Sequence, residues 1–162
     1  PALLERLEKL GAVDSSATGF MYELGDAYLA NRGASAMQSM WPHRSLIDRA
    51  IPAPGHSDAW VCTPNPFTAI WSLVNRQTDT GQSLDDAQRI TPLEALHAYT
   101  TLGAFSGREE HLKGTLERGK FADIAILDRD LFAIPTDEIR DIRVDMTLVN
   151  GEVVFERDTV CE

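Results

Sequence analysis

Near Gly107 the chain changes texture, and this change limits the folds open to it. Downstream, residues 144–148 and 152–156 are two apolar alternations joined by Asn150-Gly151. Asn-Gly between such runs is the strongest short-range signal for a β-hairpin, because both residues tolerate the positive φ of the tight turn. Residues 122–128 read as a further strand, introduced by the turn-rich stretch 114–120. Residues 113–157 are therefore predicted to be mostly β, whereas residues 1–107 carry helical periodicity interrupted by short extended segments.

The upstream part reads as α/β. Leu3, Leu4, Leu7 and Leu10 share one helical face, and Gly11 is a natural stop. A short extended segment, 12–17, follows; helix, glycine, short strand is the rhythm of a βα protein. Residues 23–40 are helical in part, broken at Gly25 and Gly33, and Pro42 opens a helix over 43–50. Residues 51–55 read as extended, although Pro52 and Pro54 are unusual in a central strand. Asn65-Pro66 opens a helix with Phe67, Ile70, Trp71 and Val74 on its core face, and the polar stretch 78–89 is a loop. Thr91, Pro92 and Glu94 form a helix start with a capping box, and that helix is predicted to run to about Gly107.

Composition excludes several classes of function. At 43% hydrophobic and 25% charged residues, the 162-residue chain has the balance of one folded domain and not of a disordered segment. Its formal net charge of −10, with no block of Lys or Arg, argues against nucleic acid and anionic membrane surfaces as partners. No apolar run approaches the ~18 residues of a transmembrane helix. Cys62 and Cys161 are too few and too far apart for a disulfide scaffold or a zinc motif, so two free thiols in a reducing compartment, by default the cytoplasm, are expected.

The candidate chemistry lies at Gly55-His56-Ser57-Asp58, just after the extended segment. In parallel α/β architectures reactive groups sit where strands end and loops begin. A carboxylate placed there can ligate a metal and exchange a proton with bound water; it can equally well cap the turn that follows. His56 is a second polar candidate. His43, His97 and His111 are scattered, with no H-x-H or H-E-x-x-H spacing. There is no nucleophile elbow, because Ala59 stands where the second glycine would be, and no phosphate-binding glycine loop. Trp60, close to Asp58, and Phe20 and Tyr22, after the segment at 12–17, could line a pocket for an apolar or aromatic group.

Three segments carry a resemblance to the C-terminal end of the amidohydrolase superfamily, in particular the subgroup that includes N-substituted formamide deformylase. Residues 91–100 resemble the last barrel helix. Gly114, Leu116, Gly119, Lys120, Ala122 and Asp123 resemble a signature that marks re-entry of the chain into a small β-sandwich. The third segment is the hairpin region 144–154. Upstream, Gly55-His56-Ser57-Asp58 resembles the Gly-Ser-Asp at the end of the eighth barrel strand. Trp60 stands where Pro is commoner, Ala50 where Gly is commoner, and His56 widens the usual pattern; these departures bear on substrate choice.

The resemblance implies a partial TIM-type (β/α) barrel over 1–112, comprising strands seven and eight with their helices, and part of a composite β-sandwich over 113–162. It implies metal-dependent hydrolysis of C–N bonds in small amides or N-acyl compounds, with Asp58 as metal ligand and proton shuttle. His56, Trp60, Phe20 and Tyr22 become the expected substrate contacts. The divalent metal, zinc in the first instance, is expected only in the complete enzyme and not on this chain alone, since the H-x-H and the middle histidines would precede Pro1. The expected partner is the remainder of the same polypeptide or, as an alternative, a separate complementing chain. Exposed strand edges also favour self-association into a homo-oligomer. A free-standing β module over 113–157 is disfavoured, because so short a segment cannot bury a core alone.

Overall fold

The computed structural model describes residues 2–158. Helix α1 (Ala2–Leu10) ends as its sequence predicts: Gly11 has φ +59, and Ala12 N–H donates to Leu7 O at 3.0 Å. Only half of its leucine stripe is used. Leu4 and Leu7 pack against Leu46, Ile51 and Ala53, whereas Leu3 and Leu10 remain exposed.

The extended segments at 12–17 and 51–55 lie side by side in parallel. Asp14 and Ser16 donate their N–H groups to Pro52 O (3.0 Å) and Pro54 O (3.2 Å), and His56 N–H donates to Ser16 O (3.1 Å). The two prolines supply acceptors but no donors, so the pairing contracts to one bridge, Ser16 with Gly55, instead of a full ladder. This is the physical reason why the predicted strands here are so short.

Between and after these segments run α2 (Gly19–Glu23), α3 (Gly25–Arg32), α4 (Ala34–Met37), α5 (His43–Ile47) and α6 (Pro66–Asn75). Three sequence expectations are corrected. The break expected at Gly25 falls one residue earlier, at Leu24, so that Gly25 opens α3, while Gly33, at φ +76, ends that helix. Pro42 sits at the N-cap position of α5, and that helix stops at Ile47, three residues short of expectation, in a turn that puts Ala50 at φ +54. The 78–89 loop contains a short 3-10 turn, Asp86–Gln88.

Helix α6 is the centre of the main core. Asn65 caps it by accepting from Phe67 N–H at 3.0 Å, and Phe67, Ile70, Trp71, Leu73 and Val74 are all buried. The downstream part packs against the same helix. Leu131, Ile139 and Ile142 join its cluster, Trp71 Nε1 donates to Asp137 O at 3.1 Å, and Arg140 lies 4.8 Å from the Trp71 ring centroid.

Helix α7 (Pro92–Tyr99) begins with the capping box formed by Thr91 and Glu94. The predicted continuous helix breaks at Thr100, whose hydroxyl donates to Leu96 O at 2.8 Å, and resumes as α8 (Thr101–Ser106). Such a hydroxyl bond to the preceding turn competes with the helical ladder.

Three antiparallel strands follow in the order β1 (Ile124–Leu127), β2 (Val144–Val149) and β3 (Glu152–Glu156). Asn150 (φ +52) and Gly151 (φ +83) form the predicted turn. Every residue of β3 is exposed. Among the described residues no helix is long and apolar enough to cross a membrane.

Candidate functional site

Asp58 lies on the loop that leaves the second extended segment, and backbone bonds fix the approach to it from three sides. His56 N–H donates to Ser16 O, Gly19 N–H at the start of α2 donates to His56 O at 3.3 Å, and Gly55 N–H donates to Ala98 O of α7 at 3.2 Å. The far end of the loop is anchored as well. Cys62 is buried, its Cβ lies near Gly19, and Thr63 N–H donates to Glu23 Oε1 at 2.8 Å. Between these anchors Asp58 O accepts from Val61 N–H at 2.7 Å, closing a tight turn in which Asp58 has φ +52. The result is a held loop whose tip, Asp58 to Val61, faces solvent.

The predicted site residues separate into two groups. His56 is half-buried at the base of the loop, and Trp60, 94% exposed, stands at its tip beside Asp58. Phe20 and Tyr22 belong to α2 and not to a loop, and both pack against the main core; Tyr22 meets Trp71 edge-to-face at 5.6 Å. The Cys62 thiol is pushed up to about 11, first by burial and then by Glu23 and Asp58. A thiol so far from ionising is a poor nucleophile. Cys161 lies outside the described residues.

A buried polar layer that no sequence motif marks lies at the end of α6. Arg76 is fully buried in left-handed backbone at the end of α6 and donates to Asp85 O, Met40 O and Trp41 O at 3.1–3.2 Å. Trp41 Nε1 in turn donates to Ala17 O at 3.1 Å. His43 is fully buried beside Trp41 O, and its Nε2 has no hydrogen-bond partner among the described residues. No local signal marks Arg76 as interior, because Met40 and Trp41 lie 36 and 35 residues away; His43 meets only Trp41 O, two residues away, among the described residues, and no motif marks it as buried.

Among the described residues no three His, Cys, Asp or Glu side chains gather to hold a metal ion. Structural and catalytic zinc sites use about three or four protein ligands. A surface cleft of about 250 Å³ between α3, α4 and the loop at 83–86 is lined by Leu29, Met37, Leu84 and Asp85, among others, and does not include Asp58.

Comparison with known proteins gives consistent relatives. Residues 1–155 match the amidohydrolase family. N-substituted formamide deformylase of Arthrobacter pascens is 30% identical over 154 residues, covering 94% of this chain and 28% of that protein. The putative amidohydrolase YtcJ of Bacillus subtilis is 28% identical over 128 residues, covering 77% of this chain and 24% of that protein. Among solved structures, an uncharacterized metal-dependent hydrolase from Pyrococcus furiosus superposes with TM-score 0.66 at 29% identity, over 79% of this chain and 26% of that one. One from Pyrococcus horikoshii OT3 gives TM-score 0.71 at 24% identity, over 83% and 28%, and supports the fold. The chain spans about a quarter of the length of the curated relatives it matches.

Proposed function

Because this chain belongs to the amidohydrolase family, we propose that it is the C-terminal part of a metal-dependent hydrolase that cleaves C–N bonds in small amides or N-acyl compounds. In this reading residues 1–112 supply the last two strands and helices of a (β/α) barrel, and residues 113–162 part of a composite β-sandwich. The observation that carries it is Asp58, an exposed carboxylate on a held loop at the end of a parallel strand pair, where barrel enzymes place their reactive groups.

Asp58 is the one ligand this chain contributes to the divalent metal, zinc by preference; the others come from the rest of the polypeptide. A bound cation would polarise the substrate carbonyl and acidify water. The Asp58 carboxylate takes up a proton from the attacking water and returns it to the leaving nitrogen, which lets an amine depart neutral. Trp60 and His56 face the substrate from the same loop, and an exposed indole suits an apolar or aromatic substituent. Phe20 and Tyr22, packed against the core, form the wall behind. Reducing surroundings, with the cytoplasm as the default, fit the buried free thiol of Cys62.

A second arrangement draws on the absence of a metal cluster among the described residues: a separate polypeptide would supply the other ligands. Native mass spectrometry separates the two. The 17.9 kDa chain, alone or self-associated, is expected to be metal-free, whereas a second polypeptide with bound metal would mark a split enzyme. Stoichiometric metal on this chain alone would overturn the assignment of Asp58 as a single contributed ligand.

A further inference from the structure

We infer that Thr18 and Tyr99 are positioning residues for the Asp58 loop, acting through a part-buried hydroxyl pair clamped on Gly55. The inference rests on the reading of Asp58 given above. The two hydroxyl oxygens are 2.7 Å apart, and 81 residues separate them in sequence. Thr18 has no exposed surface, and burial pushes the Tyr99 phenol up to about 12, so the pair stays neutral and hydrogen-bonded across the working pH range.

Their shared neighbour is the glycine three residues before Asp58. A Cβ on Gly55 would stand 2.6 Å from Tyr99 Cε2 and 2.7 Å from Thr18 Oγ1. The backbone at Gly55 is thus pressed directly against the hydroxyl pair, and only glycine permits that approach. The same two side chains leave elements that already bond this backbone. Thr18 precedes Gly19, which donates to His56 O, and Tyr99 follows Ala98, which accepts from Gly55 N–H. The hydroxyl pair closes the ring formed by α2, the extended segment and α7. A half-bonded, proline-containing pair of strands lacks the ladder that usually fixes a strand end, and this ring takes its place.

The test is hydrogen exchange by NMR on the 162-residue chain, comparing the His56 and Gly19 amides with control amides at Arg76, at the end of α6, and at Thr147 in β2. Tyr99→Phe and Thr18→Val are each expected to accelerate exchange at His56 and Gly19 about tenfold relative to the controls, and Thr18→Ser to restore protection. Equal acceleration at the control amides, or none at His56 and Gly19, would overturn the inference. If Tyr99→Phe does not fold, the comparison of Thr18→Val with Thr18→Ser decides alone. In the full-length hydrolase Tyr99→Phe is expected to lower kcat about tenfold with KM unchanged, and an unchanged kcat would also overturn it. Asp58→Asn leaves the exchange pattern as it is, so full activity in that variant would sink the reading of Asp58 and not the clamp.

Discussion

The guanidinium of Arg76 donates to the carbonyl oxygen of Trp41 at 3.1 Å from a position with no solvent exposure. The same group satisfies Met40 O and Asp85 O, and the Trp41 indole reaches on to Ala17 O. One buried cation therefore ties the end of α6 to two loops and, through Trp41, to the strand end beside the candidate site. Burial lowers its affinity for a proton to about 10, which still leaves it charged at neutral pH.

Arg76→Met should remove these bonds while keeping much of the apolar volume. Each buried carbonyl left without a donor costs about 1–3 kcal/mol, so a loss of roughly 3 kcal/mol or more in urea unfolding is expected. Arg76→Lys should recover little of it, because a point-like ammonium cannot serve three diverging carbonyls. A midpoint close to the parent's in the Met variant would refute this account.

His43 predicts acid sensitivity. Burial pushes its imidazole from 6.5 down to about 4, with Arg76 adding to the depression and the Trp41 carbonyl and Asp14 opposing it. The folded state thus favours the neutral ring. The stabilisation is complete above pH 6.5 and is lost as pH falls from there toward 4, by about 3 kcal/mol in all. His43→Phe should flatten this part of the pH–stability curve; an unchanged slope between pH 7 and 4 would show that other groups govern it.

Trp60 should behave as a surface reporter. Trp41 and Trp71 are 8% and 3% exposed, against 94% for Trp60. Trp60→Phe is expected to abolish most of the acrylamide-quenchable fluorescence and to change stability by no more than about 0.5 kcal/mol. Strong residual quenching would mean that the indole packs elsewhere in solution.

Asp58→Asn in the full-length polypeptide should reduce amide hydrolysis by at least about a hundredfold, the lower range for loss of a general acid–base group. Thermal unfolding of the 162-residue chain should be unaffected, since the side chain is exposed. Retained hydrolysis would remove Asp58 from the mechanism.

Thr91→Ala should cost about 1 kcal/mol, the usual worth of an N-cap. Glu94, the other half of the capping box, also pairs with Arg44 at 2.8 Å, so the change loosens α7 against α5. Arg44→Ala combined with Thr91→Ala should cost less than the sum of the two single changes; strict additivity would show that the cap and the ion pair are independent.

What the sequence determined by itself are the features whose bonds close within a few residues. The Asn65 and Thr91 caps, the Gly11 stop and the Asn150-Gly151 turn each depend on the backbone preference of a residue and its near neighbours. The amphipathic face of α6 was legible for the same reason, because its apolar residues repeat at the helical period. The placement of Asp58 at a strand end followed from the resemblance of the Gly55–Asp58 stretch and not from periodicity.

Tertiary structure alone decided which half of the α1 leucine stripe would be covered, that Tyr22 would meet Trp71 in the core, and that Arg76 and His43 would be interior. It also brought Thr18 to Tyr99 across 81 residues. Such pairs leave no local trace: the free energy of a buried hydroxyl or guanidinium depends on partners that only the folded chain delivers, and a polar residue destined for the interior looks in sequence like one destined for the surface.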